Sequence, residues 1–456
     1  MGAFALLGLC LAALLPLGYA QLPLVDLPQH LMTLTILRDP GSFPSFEPAL
    51  SWTATNVTLF AWDAALAPVL SPTASVRLFL VAYVVLLPIS VWALARELAD
   101  GDVAPAVGAV ALVWSAPVVW GFPNYALALP LGLLALAAGL RLLRHGLTRG
   151  RVVVLGALLV LLYSTHAQAW LTVMGGLGIA AALALALLRR RREVGAGAAA
   201  ALPSVVLFLP WAAANFARDE HRDGLVGFGN LFGDLGGSGW VDTYDVLTYF
   251  RLSLTDRYHG DLDWWALLIL SVTVGLCLIH RLARARSEPG SPERRFVLAA
   301  GLALCGWILL LVFLLPLQIR GQFCISSRTV VWLPLIALAL VGHTLPPALA
   351  RLRFAVLCVP AGLMAYTVSS AFAEFQVASE APLALIDEVG GDKRLVFMTS
   401  DYSYPGMERI QPFTHLAAHH AVRNKGESGF SFAEWSGNPV QYVDPLHHPR
   451  QRAGEE

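Results

Sequence analysis

The chain has 456 residues and a formal net charge of zero; 57% of its residues are hydrophobic and only 14% are charged, with a mean hydropathy of +0.63. A soluble globular domain carries about a quarter charged residues, so the composition excludes an ordinary soluble fold and describes a polytopic membrane protein. Zero net charge removes the electrostatic basis for a nucleic-acid partner.

A spanning helix needs about 20 apolar residues, and eleven runs qualify in chain order: 2–20, 75–97, 103–121, 124–143, 151–166, 169–188, 196–214, 264–282, 296–316, 329–347 and 354–374. The first is read as a retained helix, because no Lys or Arg precedes it as a signal peptide requires. The 151–188 stretch is about two helix lengths and divides at Ser164-Thr165-His166-Ala167-Gln168, its only polar interruption. With the N-terminus in the cytoplasm, alternate connections are basic: Arg141 to Arg151, Arg189 to Arg192, Arg281 to Arg295, and Arg351 with Arg353. That is the positive-inside pattern.

This topology places loop 21–74, loop 215–263 and the tail after residue 375 on the outer face. In the first loop, 27–37 and 56–70 read as amphipathic interfacial helices, the second with Leu59, Phe60, Trp62 and Leu66 on one face. The tail is a composition shift: a helix is expected over 381–390, a strand from Arg394 to Thr399, a His-rich helix over 413–423 and a strand near 438–443. The expected organisation is an all-α transmembrane domain over 1–375 and a small αβ extracytoplasmic appendage over 376–456. Arg dominates the basic residues, with Lys only at Lys393 and Lys425. With the richness in Ala and Leu, that suggests a GC-rich bacterial genome and hence a bacterial plasma membrane.

Cys10, Cys277, Cys305, Cys324 and Cys358 show neither CxxC nor metal-ligand spacing, so no disulfide framework or zinc site is indicated. The chain lacks a Walker A loop, a dinucleotide-binding glycine motif, a GxSxG elbow and HExxH. It also lacks the row of intramembrane acids or lysines that coupled transporters use.

Candidate site residues cluster at the outer ends of the apolar runs. Asp26 and His30 follow the first run at a spacing that shares one helix face. Asp26 also suits a helix N-cap, with Pro28 in the first turn. His166 interrupts the paired spans, where an ionisable group is costly unless it has a purpose; a neutral hydrogen-bonded histidine is the other reading. Arg328, and with it Arg320, brackets a short outer connection where a guanidinium can grip a phosphate or snorkel at the interface. Asn124 and Tyr125 occupy the turn Gly121-Phe122-Pro123-Asn124-Tyr125. His415, His419 and His420 are helically spaced, with His447 and His448 beyond them.

The order of these features resembles polytopic glycosyltransferases of the GT-C superfamily. The resemblance is carried by Asp26 in Val-Asp-Leu-Pro-Gln-His, the paired amphipathic stretches after it, the Phe122-Pro123-Asn124-Tyr125 turn, the Thr165-His166 junction and Ser327-Arg328. It covers the layout of residues 1–375. It implies transfer of a sugar from a polyprenyl-phosphate donor at the outer leaflet, with Asp26 as general base and Arg328, with Arg320, on the donor phosphate. His30, His166 and Asn124 complete the expected site. The chain departs from many relatives in offering Asn124 where a second acid is common, which leaves Asp63 and Asp219 as acids available from other loops and gives a divalent metal no support. The implied partners are a lipid-linked sugar donor and membrane lipids. A transporter or flippase of a lipid-linked intermediate, and a non-catalytic envelope assembly protein, are the competing functions.

Overall fold

The structure is a computed structural model that describes residues 2–51, 54–99, 101–217, 253–254, 258, 260–287, 290–315, 325–343, 345–391, 393–396, 407, 411–428, 431–434 and 438–443. Arg320, Asp219, His447, His448 and most of loop 215–263 lie outside them.

Helix α1 (Gly2–Leu14) runs into a 3-10 turn, Leu15–Gly18, and the first long loop then forms α2 (Leu27–Arg38), the strand β1 (Phe46–Pro48) and α3 (Thr58–Leu66). The bundle continues through α4 (Pro72–Ala99), α5 (Ala104–Val110), α6 (Ala116–Val119), α7 (Pro123–His145), α8 (Arg149–Thr165), α9 (Ala167–Leu188) and α10 (Arg191–Ala217). It closes with α11 (Leu262–Ser287), α12 (Pro292–Leu314), α13 (Ile325–Val330), α14 (Trp332–Leu340) and α15 (Pro347–Asp387). The tail adds β2 (Arg394–Leu395), α16 (His419–Asn424), β3 (Glu427–Ser428) and β4 (Val440–Tyr442).

Each of the eleven apolar runs is helical. Among the described residues, seven helices are long and apolar enough to cross a membrane: α4, α7, α9, α10, α11, α12 and α15. The runs 2–20, 103–121, 151–166 and 329–347 are shorter or broken. The 103–121 run departs furthest from a single span. It is two short helices joined through Ser115, whose backbone is extended (φ −71°, ψ 167°). Irregular backbone survives at membrane depth only where protein covers it, and every residue from 104 to 119 is buried. Pro117 restarts the helix at a position where a missing N–H costs nothing.

The helix expected at 381–390 is not separate. It is the end of α15, which runs for 41 residues through Pro360 and Pro382. At 1.5 Å per residue that is about 60 Å, roughly twice the hydrocarbon thickness. It is therefore long enough for its C-terminal half, which carries the tail, to stand clear of the membrane.

The tail packs on the first long loop, residues 21–74. β1 pairs antiparallel with β4, Phe46 opposite Tyr442, and the two rings stack at 4.8 Å. Met32 and Ile36 of α2 join Phe43, Phe46, Ala418, Ala421, Val440 and Tyr442 in one buried apolar cluster. Leu27, Leu31 and Leu34 of α2 face the bundle core. Helix α2 is thus covered on two sides.

Asp63, a candidate second acid, holds these helices together. It is 2% exposed and takes both Nε (2.8 Å) and Nη2 (2.5 Å) of Arg38. Arg38 Nη1 also donates to the Leu70 carbonyl at 2.6 Å. Removing one partner of a buried, hydrogen-bonded ion pair strands the other. Asp63→Asn is therefore expected to lower stability by about 3 kcal/mol, measured as a lower thermal midpoint in detergent; Leu66→Ala, at a half-buried position, should cost less.

Candidate active site at the Trp120–Phe122 turn

The segment before α2 docks edge-on against the turn before α7. The amides of Val25 and Asp26 donate to the carbonyls of Val119 and Trp120, each at 3.1 Å. Gly121 permits the approach: its φ is +82°, and a Cβ there would lie 2.6 Å from the Asp26 amide nitrogen. Only glycine takes that conformation without strain.

Docking decides the role of Asp26. The residue stands at the N-cap position of α2, with helical dihedrals (φ −88°, ψ −5°) and no side-chain capping bond. A capping residue normally has extended dihedrals that turn its oxygen back onto the first-turn amides. Here the carboxylate faces the tail, and His415 Nε2 stands 3.3 Å from Asp26 Oδ1. The Phe432 ring lies edge-on to both His30 (5.9 Å) and His415 (5.5 Å). Gln29 Oε1 accepts from the Phe432 amide at 3.3 Å and so fixes that ring's backbone. Asp26, His30, His415 and Phe432 thus form one cluster.

The other candidates adjoin the same turn. The Arg328 guanidinium stacks over the Phe122 ring, 3.7 Å from its centroid. Tyr125 donates to the Arg328 carbonyl (2.8 Å) and accepts from Trp332 Nε1 (3.0 Å). Trp332 seats against Gly132, where a Cβ would meet its ring at 2.3 Å. His166 breaks α8 from α9 with extended backbone (φ −165°, ψ 118°). Its ring stands edge-on to Tyr125 at 4.8 Å, within electrostatic reach of Arg328, and its Nδ1 is buried without a hydrogen bond. Consecutive residues of the turn thus touch the Asp26 backbone, through Gly121, and the Arg328 guanidinium, through Phe122.

Asn124 serves the scaffold. Its Oδ1 accepts from the Leu59 amide (3.0 Å) and its Nδ2 donates to the Asn56 carbonyl (2.9 Å). It caps α3 from outside that helix. Thr58 and Thr165 share a hydroxyl hydrogen bond at 2.9 Å, and Val57 donates to the Ser164 carbonyl at 3.0 Å, so the first long loop is tied to the His166 junction as well. Among the described residues, no three His, Cys, Asp or Glu side chains gather to hold a metal ion.

His415 is the residue that sequence reading leaves without a purpose. Its helical spacing with His419 and His420 is visible, but nothing local signals that one of the three meets Asp26. Burial pushes the His30 imidazole below its ordinary value of 6.5; the Asp26 carboxylate and the Gly121 carbonyl oppose this, while His415 adds to it.

Several apolar membrane-spanning helices around this turn make the chain a multi-pass membrane protein, and its architecture is the GT-C fold. It is similar to the crystal structure of ArnT from Cupriavidus metallidurans bound to undecaprenyl phosphate, with a TM-score of 0.50 and 13% identity over 92% of this chain and 84% of that one. No family model matches the sequence, and no curated protein matches it.

Two outcomes are expected. Gly121→Ala forces a left-handed alanine against the Asp26 backbone, at a cost of about 2 kcal/mol or more, read as a lower thermal midpoint. His30 takes up a proton less readily in the fold than in the unfolded chain, where its ordinary value is 6.5. Its contribution is therefore complete above that pH and is lost as pH falls, by at most about 1.4 kcal/mol per unit. His30→Gln should flatten the decline in thermal midpoint between about pH 6.5 and pH 5.

Proposed function

We propose that the chain is a glycosyltransferase that moves a sugar from a polyprenyl-phosphate donor to an envelope glycan, lipid or protein acceptor. The membrane is a bacterial plasma membrane, with the N-terminus in the cytoplasm and the site on the outer face. The observation that carries this reading is Asp26: a carboxylate at the N-cap position that makes no cap, beside a turn whose Phe122 ring stacks with Arg328.

Asp26 acts as general base and takes the proton of the acceptor hydroxyl. The acceptor oxygen bonds to the anomeric carbon as that carbon's bond to the phosphate oxygen breaks, and the electron pair leaves on the polyprenyl phosphate. Arg328 meets the charge that develops there. Its stacking on Phe122 fixes the plane of the guanidinium. His415 holds the Asp26 carboxylate, so the tail completes the base.

Two further observations support a lipid-linked donor. The ArnT structure holds undecaprenyl phosphate. An apolar groove of about 620 Å³ also runs along α8 and α10, from Val152 past Gly156 and Val160 to Ser164, with Ala200 and Pro203 on its far wall. Its outer end lies beside the His166 junction, where a polyprenyl chain would deliver its phosphate.

The test is product formation in membranes supplied with polyprenyl-phosphate-linked sugars, followed as released polyprenyl phosphate. Asp26→Asn is expected to reduce turnover by about 10²- to 10⁴-fold with unchanged protein abundance. Arg328→Gln should weaken donor use by about tenfold or more. Product formation at the wild-type rate in Asp26→Asn would overturn the base assignment.

A further inference from the structure

A second cavity, of about 120 Å³, lies where α1 and α4 reach the outer face. Leu27 and Leu31 of α2 form one wall, and Gln21, Thr73, Arg77 and His419 supply polar groups. Asp26, His30 and Arg328 are not among its lining residues.

Arg77 is the unusual group. Its Nη2 donates to the carbonyls of Tyr19 (2.8 Å) and Ala20 (2.6 Å). Its Nε is buried without a partner, and among the described residues Arg77 makes no hydrogen bond from Nη1 and no ion pair with a carboxylate. A guanidinium has five N–H donors and cannot shed its charge. A partly buried cation with unmet donors and no counter-ion is costly.

The neighbours have the same unmet capacity. The side chains of Gln21, Thr73 and His419 make no hydrogen bond among the described residues. Burial, with the Arg423 guanidinium beside it, pushes the His419 imidazole down to about 4, so at neutral pH it offers one N–H without a charge of its own. Arg423 also lines the cavity but is neutralised by Asp387. No acid lines the cavity, which leaves a net positive, donor-rich pocket.

The surroundings identify the source of an anion. Leu7 and Leu11 of α1 and Leu78 of α4, next to Arg77, are exposed large apolar side chains on membrane-facing helices. Tyr19 and Ala20, which Arg77 grips, are where the chain leaves α1's apolar run. The pocket is thus at headgroup depth beside lipid. We propose that it binds the phosphate of a membrane-lipid headgroup, at a site separate from the Asp26 and Arg328 turn.

The experiment uses the purified full chain in detergent, with dioleoylphosphatidylglycerol, dioleoylglycerol or inorganic phosphate added, and reads native-mass-spectrometric adducts and thermal midpoint. The phosphatidylglycerol adduct is expected to persist and raise the midpoint, while dioleoylglycerol, which lacks the phosphate, does neither. Inorganic phosphate stabilising as strongly as the lipid would replace the headgroup by a free oxyanion and overturn the lipid assignment. Arg77→Gln should weaken phosphatidylglycerol binding about tenfold. Because Arg77 also holds two carbonyls, Thr73→Val and His419→Phe test the same pocket without touching those bonds, each with an expected loss of about fivefold. Arg328→Gln should leave this binding unchanged. Equal retention of phosphatidylglycerol and dioleoylglycerol, or wild-type binding in all three pocket variants, would overturn the proposal.

Discussion

The docking of two main-chain segments, Val25-Asp26 on Val119-Trp120, is the contact on which the rest of this end of the bundle depends. It needs a residue without a Cβ at 121, because the two backbones approach within the space a methyl group would fill. Once made, it fixes Asp26 in helical dihedrals and so turns the carboxylate away from the amides it would otherwise cap. The residue that looks like a helix cap is freed by backbone geometry. Through Phe122 the same turn seats Arg328, and through Asn124 it starts α3. An acid, a cation and a loop helix are thus set relative to one another by a few consecutive residues.

The bilayer explains why irregular backbone is concentrated here. An unpaired amide in hydrocarbon costs several kcal/mol, so breaks in helices are confined to places wrapped in protein. The α5–α6 break is buried throughout. The α8–α9 break at His166 is braced by hydroxyl and backbone bonds from the first long loop. Both breaks adjoin the Trp120–Phe122 turn or its partners, where polar side chains are needed and where protein already covers the backbone.

Much of this was legible in the amino-acid sequence, and the remainder has physical reasons for being hidden. Apolar run length located the long helices of the bundle, because hydrocarbon thickness sets that length. The division at His166 was legible because one polar pentad interrupts about two helix lengths of apolar residues. Asp26 was legible as an acid at an apolar boundary, but its freedom from capping was not: that depends on dihedrals imposed by residues 119–121. Asp63 read as a spare acid, and only its bidentate contact with Arg38 shows it to be structural. The splitting of 103–121 was illegible because a wholly buried pair of short helices has the same composition as one span. His415 and Arg77 meet partners brought to them by tertiary packing, which leaves no local pattern to read.

Helix α15 has a consequence for how the molecule is made. Among the described residues it is the last long helix, and Leu383 and Ile386 near its C-terminal end pack on Leu416, next to His415. Synthesis proceeds from the N-terminus, so Asp26 is made well before its histidine neighbour. The bundle can pack its helices while this pairing is still absent. The contact forms only once the tail has folded back over the first long loop. A chain cut before residue 415 therefore contains the acid without its neighbour, and the order of synthesis makes this pairing a late event.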